Sequence, residues 1–267
     1  MQLNKDNQLL ISKISHELRN PLTIIYSTLQ LIESRHPETR TFEHWHELMK
    51  DVEFMSVLLD DLSRFNHANT LNLSTFSFRP FWEYISLSFA ASIADTKLEY
   101  FSKIDSSINQ ITGDKTKLQE VFLNLLRNAT EAALPDGSIS MTAEQTCDSI
   151  LIQIQDNGCG ISKEHIDSIF EPFTTYKKNG TGLGLSISQN IIHAHHGTIE
   201  VDSTPQKGST FRITPPTKQC CDKKGCQQTT NITKSVNNSP CESRQQPDEN
   251  HKEPNMLSNI PSSYHIK

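Results

Sequence analysis

The chain has 267 residues, of which 35% are hydrophobic and 21% charged, with a formal net charge of −6. That length holds one large domain or two smaller ones, and the modest negative charge gives no general attraction to nucleic acid or an anionic membrane. No apolar run reaches the roughly 18 residues that a membrane span needs, and the start, "MQLNKDNQLLISK", lacks the layout of a signal peptide, so a soluble, cytoplasmic protein is expected.

From about Leu9 to Ser34, Leu10, Ile14, Leu18, Leu22, Ile25, Leu29 and Ile32 recur at three- and four-residue steps, which is one face of a long helix. "SRHPETR" breaks the pattern at Pro37, and a second run follows through Trp45, Leu48, Val52, Met55, Leu59, Leu62 and Phe65. Residues 5–68 therefore read as a helical hairpin. Alone it leaves two apolar stripes half exposed. Pairing with a second copy into a four-helix bundle covers both, and packing against the rest of the chain is the alternative. Within the first helix, "ISHELRNPL" sets His16 beside Glu17 and puts Pro21 five residues after the histidine. Proline in a helix interior costs about 3 kcal/mol. Pro21 lacks the N–H that would bond the carbonyl of Glu17, so the helix is expected to bend beside that pair.

After "NHANTLNLS" the pattern changes. "TFSF" and "LEYFSKI" read as strands around a helix near Pro80 to Ala94, and "KLQEVFLNLLRNATEAAL" as a strongly amphipathic helix. "SISMTAEQ" and "ILIQIQD" alternate like a strand hairpin, "GLSISQNIIHAHH" is helical, and "GTIEVDS" and "STFRIT" form a closing strand pair. Residues 69–214 thus form a mixed α/β domain, with helices on one face of a largely antiparallel sheet. Residues 215–267 carry 7 Lys and Arg against 5 Asp and Glu and few large apolar residues. Such a tail cannot offset its ordering entropy and is expected to be disordered. The six cysteines are Cys147, Cys159, Cys220, Cys221, Cys226 and Cys241. Their spacing fits no paired C-x-x-C site, so free thiols are favoured over a metal site with His251 and His265.

Three clusters carry chemistry. Asn124 and Asn128 share one helix face, and an amide oxygen is a hard ligand suited to Mg²⁺, which nucleotide phosphates usually help to hold; taken alone, the pair reads more readily as an exposed polar face. In "QDNGCGIS", Asp156 ends a strand, where a carboxylate can accept from an exocyclic amino group such as that of adenine; an ordinary turn is the alternative. In "NGTGLGLSIS", Gly180, Gly182 and Gly184 precede a helix whose free amides can face an anion. The intervening "SKEHIDSIFEPFTTYKKN" is long, aromatic and basic, like a lid over a ligand.

Together "SHELRNPL", "LLRNATEA", "DNGCGI", "FEPF" and "GTGLGL" resemble, in order and spacing, the H, N, G1, F and G2 boxes of sensor histidine kinases over about residues 5–214. The resemblance implies a dimerisation and phosphotransfer hairpin followed by the α/β sandwich ATP-binding fold shared with gyrase and the heat-shock chaperones. It implies ATP and Mg²⁺ as cofactors and His16 as the phosphoacceptor, with Glu17 orienting its ring and accepting a proton. By the same resemblance Asn128 holds the metal, Asn124 lines the phosphate side, and Asp156 reads adenine. Gly158 and Gly160 shape the floor, and Gly180, Thr181, Gly182, Leu183 and Gly184 form the phosphate loop. Phe170 and Phe173 anchor the lid, and Lys177 screens phosphate charge. Glu17 with Asn20 resembles the pattern of kinases that also dephosphorylate their partner. "FTTYKKNGTGLGL" resembles a sporulation or nitrogen-regulation subgroup, and so does Glu131, where many members carry lysine; Lys177 and Lys178 are the lid lysines to compensate. The implied partners are a second copy of the chain and the receiver domain of a separate response regulator. A separate sensor protein joins them, because only 15 residues precede His16. The rivals are an ATPase or serine kinase with a scaffold hairpin, and a non-catalytic paralogue that sequesters regulators.

Overall fold

The computed structural model describes residues 2–146, 149–177, 180–215 and 263–266. It opens on two long helices, α1 (Gln2–Arg35) and α2 (Trp45–His67), joined by a 3₁₀ turn over Pro37–Thr41. Pro37 begins that turn, where its missing N–H has no partner to lose. Glu33 fastens the corner, accepting from Arg40 Nε at 2.6 Å and Trp45 Nε1 at 3.2 Å. α1 remains helical on both sides of Pro21. Within one protomer Leu22 and Val52 are buried, whereas Leu10, Ile14, Leu18, Ile25 and Ile32 stay exposed. The expected stripe is therefore left open along most of its length.

The second part is built on a six-stranded sheet. Its elements are β1 (Ser74–Ser77), α3 (Phe78–Ser92), β2 (Glu99–Ile104), β3 (Gln110–Gly113), α4 (Lys115–Ala132), β4 (Ser138–Gln145) and β5 (Ile150–Asp156). They continue with α5 (Lys163–Ile166), α6 (Gly184–Ala194), β6 (Thr198–Thr204), β7 (Gly208–Thr214) and β8 (Ser263–Ile266). The sheet order is β6-β7-β5-β4-β2-β8, antiparallel except for the β2–β4 pair, and β1 pairs separately with β3. Phe78, Phe81, Trp82 and Ile85 of α3, Val121, Phe122, Leu125 and Leu126 of α4, and Ile191 and Ile192 of α6 are buried. They share one core with Tyr100, Ile139, Met141, Ile152, Ile154 and Ile213 of the strands. Burying so many large side chains, at roughly 1.5–3 kcal/mol each, is the main drive to this layer arrangement. The one buried indole N–H is matched: Trp82 donates to Ser102 Oγ at 2.9 Å.

β8 departs from the expectation of a structureless tail. Its residues pair antiparallel with β2, from Tyr100↔Ile266 to Lys103↔Ser263. β2 would otherwise present an open edge of unpaired amides and carbonyls, and a short extended run satisfies them. The rest of that tail, with Cys220, Cys221, Cys226 and Cys241, lies outside the described residues.

A buried relay joins the helices behind the sheet. His195, at the end of α6, accepts from the Asp114 amide through Nε2 at 2.8 Å, and its Nδ1 donates to the Ile191 carbonyl at 2.7 Å. Asp114 in turn caps α4, accepting from Lys117 N, and binds Asn72 N at 2.8 Å in the segment after α2. Burial alone would raise the Asp114 carboxyl, but the amide donors of Asn72 and Lys117 outweigh it and hold the group below its ordinary value. Of "HAHHG", His195 is thus a structural histidine with both nitrogens used.

Candidate functional site

α4 buries Leu118, Val121, Phe122, Leu125, Leu126 and Ala129, and this periodicity turns Asn124, Asn128 and Glu131 away from the core. The two asparagines are used differently. Asn124 Nδ2 donates to Ser188 Oγ at 2.9 Å and its Oδ1 accepts from Arg127 at 2.9 Å, so its amide joins α4 to α6. Asn128 Oδ1 instead accepts from the lid: Lys177 Nζ reaches it at 2.8 Å and also contacts Glu131 Oε2.

Asp156 ends β5 at only 3% exposure. Its Oδ1 accepts from the Gly158 amide at 2.9 Å. Burial pushes its carboxyl above the ordinary carboxylate value, against the pull of the Gly158 and Ser209 amides. A buried acceptor with spare capacity at a strand end is suited to reading an N–H donor. Gly158 packs so tightly that a Cβ would lie 2.1 Å from the Ala132 carbonyl oxygen. Gly160 follows in the same turn.

The segment from β5 to α6 carries the lid. Ile169 is buried and Phe170 packs against the core, whereas Phe173 is 59% exposed. Of the two residues expected to anchor the lid, Phe170 thus lies against the core and Phe173 at the surface. Phe173 sits at a backbone φ of 63°, in a turn that closes against Gly182 rather than into the core. Tyr176, unremarked in the sequence, stacks on His165 at 3.6 Å and shares a 2.9 Å hydrogen bond with Ser168. Lys178 lies outside the described residues. Gly180, Gly182 and the buried Leu183 lead into α6, whose first residue, Gly184, packs under Asn124. Thr181 spends its hydroxyl elsewhere, donating to Asp61 of α2 at 2.6 Å. That tie between the lid's end and the hairpin had no signal in the sequence, because neither residue type nor spacing pairs positions so far apart.

On α1, His16, Glu17 and Asn20 are exposed. Arg19 grips Asp60 of α2 through Nε at 3.0 Å and Nη2 at 2.8 Å, and its Nη1 lies 3.4 Å from His16 Nδ1. Glu17 faces Lys13 at 3.9 Å. A cavity of about 420 Å³ opens between the hairpin and α4, lined by Arg19, Arg64, His67, Lys117, Asp60 and Glu120. Another, of about 220 Å³, opens on the sheet over β2, β4 and the end of β5.

These features define a class: a helical hairpin with an exposed histidine, followed by an α/β layer that sets a buried aspartate, a helix-borne asparagine and a glycine-rich lid near one another. Residues 6–70 match the family described as the His Kinase A (phospho-acceptor) domain. Residues 113–219 match the Histidine kinase-, DNA gyrase B-, and HSP90-like ATPase family. The signal transduction histidine-protein kinase AtoS of Escherichia coli is 33% identical over 208 residues, 78% of this chain and 34% of that protein. Sporulation kinase A of Bacillus subtilis is 32% identical over 219 residues, again 78% of this chain and 34% of that protein. Full-length ShkA, solved in complex with AMPPNP, shares the fold with a TM-score of 0.66 at 22% identity, over 78% of this chain and 45% of that one. The chain belongs to the sensor histidine kinase family. It spans about a third of the length of the two curated relatives. No helix among the described residues is long and apolar enough to cross a membrane.

Proposed function

We propose that the chain is an ATP-dependent protein-histidine kinase core that phosphorylates itself on His16 and passes the phosphoryl group to an aspartate on a separate response regulator. The observation that carries this reading is the exposed His16 imidazole, whose Nε2 has no bonding partner among the described residues, on a hairpin joined directly to an ATPase fold. In the reaction a neutral imidazole nitrogen attacks the γ-phosphorus, the N–P bond forms, and the bridging P–O bond breaks with its electron pair leaving on ADP. The opposite ring nitrogen must give up its proton, and Glu17, the next residue, is the carboxylate to take it. Arg19 can only donate, so at rest it favours a lone pair on Nδ1. The contact is long and exposed, and exchanging tautomers there costs little.

Asp156 would hold the adenine amino group in this reading, with Gly158 and Gly160 keeping the floor shallow and Gly180 to Gly184 admitting the phosphates. Asn128 would hold magnesium, which when bound would supply positive charge to offset that of the phosphates. Asn128 suits it: the amide oxygen already takes a cation, the Lys177 ammonium. AMPPNP, as in the ShkA complex, is the natural probe of that site. The open stripe on α1 supports a homodimeric bundle, and Asn20, one turn from His16, suits positioning water for regulator dephosphorylation.

Incubating the purified chain with labelled Mg-ATP tests the proposal. An acid-labile, base-stable label that is lost in His16→Gln and moves to a receiver domain is expected. Label that resists acid would replace this reading with that of a serine kinase using the hairpin as a scaffold.

A further inference from the structure

Glu131 stands where the metal reading would want least to find a bystander. It lies three residues after Asn128, so both project from one face of α4. A single ammonium, Lys177 Nζ, sits between them, 2.8 Å from Asn128 Oδ1 and in direct contact with Glu131 Oε2. The point between the two oxygens is therefore a place where this fold accepts a cation. An amide oxygen alone is a neutral and weak ligand, and magnesium is usually held by one or two carboxylates together with phosphates.

We propose that Glu131 is a second protein ligand of the nucleotide-bound divalent cation, directly or through one water, and that the Lys177 ammonium and the metal compete for one position. The inference rests on the ATP-binding reading above. Electrostatics gives it direction. Glu131 and Lys177 neutralise each other across the lid. A dication arriving with nucleotide meets the carboxylate favourably and the ammonium unfavourably, since like charges a few ångströms apart repel even near a protein surface. Lys177 must then leave, and the triphosphate beside the metal is the anion it can turn to. One carboxylate thus serves two cations in succession, tying release of the lid to metal loading. Among the described residues Arg127 also approaches Glu131, its Nε 4.0 Å from Oε1.

The blander account is a solvent-screened ion pair. Lys177 and Glu131 side chains are 47% and 45% exposed, and such a pair contributes little to stability. The two accounts differ in metal affinity. With the full chain held at saturating AMPPNP, Mn²⁺ binding is read by electron paramagnetic resonance for the parent, Glu131→Gln, Glu131→Asp and Lys177→Ala. Glu131→Gln should weaken Mn²⁺ by about tenfold or more, as loss of a supporting metal partner does, and Glu131→Asp should weaken it less. Lys177→Ala should tighten Mn²⁺ several-fold, because the competing cation is gone. AMPPNP affinity measured in EDTA should be no weaker in Glu131→Gln than in the parent, because losing the carboxylate frees Lys177 for the phosphates, and the retained binding also reports that the variant folds. Equal Mn²⁺ affinity in the parent and Glu131→Gln would overturn the proposal and leave the nucleotide site standing. A parent that binds no AMPPNP at all would remove the ATP-binding reading, and this inference with it.

Discussion

At the scale of single residues, Asp156 shows how a site can run against stability. Its carboxyl is raised above 3.8 by burial, with the Gly158 and Ser209 amides only partly compensating. The folded protein therefore holds that proton more tightly than the unfolded chain, so the ionised group costs stability at neutral pH. That cost fades as pH falls through the raised value toward 3.8. Recognition of an adenine amino group moves the other way, because only the carboxylate is a full acceptor. ADP affinity, followed by calorimetry from pH 7.5 downward, should fall at a pH above the ordinary carboxylate range. Asp156→Asn should bind about 10- to 100-fold more weakly, the worth of one hydrogen bond to a charged group, and lose that pH dependence. Other groups titrate in this range, so the decisive quantity is the difference between the two slopes. Parallel slopes would take Asp156 out of the adenine contact. Asp156 was legible beforehand because a carboxylate followed by Asn157, Gly158 and Gly160 marks a strand end with close backbone approach. Its burial was not, because that depends on which neighbours the sheet supplies.

Among the elements, the lid is the one with a backbone constraint that no side chain can relieve, at Gly182. Gly182 has φ of 69°, and a Cβ there would lie 2.5 Å from the Phe173 carbonyl carbon. The left-handed conformation costs an L-residue about 1–2 kcal/mol, and the backbone contact cannot be relieved by a rotamer change. Gly182→Ala should therefore reshape the lid and lower nucleotide affinity about tenfold or more, while far-ultraviolet circular dichroism stays that of the parent. Faster proteolysis between residues 170 and 182 would report the same change. Unaltered affinity and cleavage would mean the lid tolerates another path. Elements with a long period were readable in the sequence: α1, α2 and α4 through their three- and four-residue apolar spacing, β4 and β5 through alternation. β3 and α5, four residues each, are too short for any period to show. The exposure of Phe173 was hidden for a related reason: "FEPF" marks two aromatics, but only the turn geometry decides which one faces the core.

For the molecule as a whole, the open question is what covers the hairpin. α1 has 34 residues, which at 1.5 Å per residue makes a rod of about 50 Å. Leu18, Ile25 and Ile32 lie along it, 52%, 49% and 37% exposed, with Leu48, Met55 and Val57 similarly open on α2. An apolar stripe of that length is unusual on a monomer and suffices for an interface near the ~1,600 Å² of stable assemblies. Two copies side by side would bury it as four helices packed at shallow angles. Ile25 is a clean probe, because it lies in the stripe yet is half exposed within the protomer, so replacing it should not disturb the protomer's own packing. Light scattering should find a dimer for the parent and, for Ile25→Glu, a shift toward monomer, with the dissociation constant raised about 100-fold or more. An unpaired carboxylate held in an apolar interface costs several kcal/mol, and two-fold symmetry would bring two of them in. The thermal transition of the sheet layer should stay with that of the parent, since its core is separate from the stripe. A parent that remains monomeric at tens of micromolar would instead assign the stripe to a different partner, and phosphorylation of His16 would then have to occur within one chain.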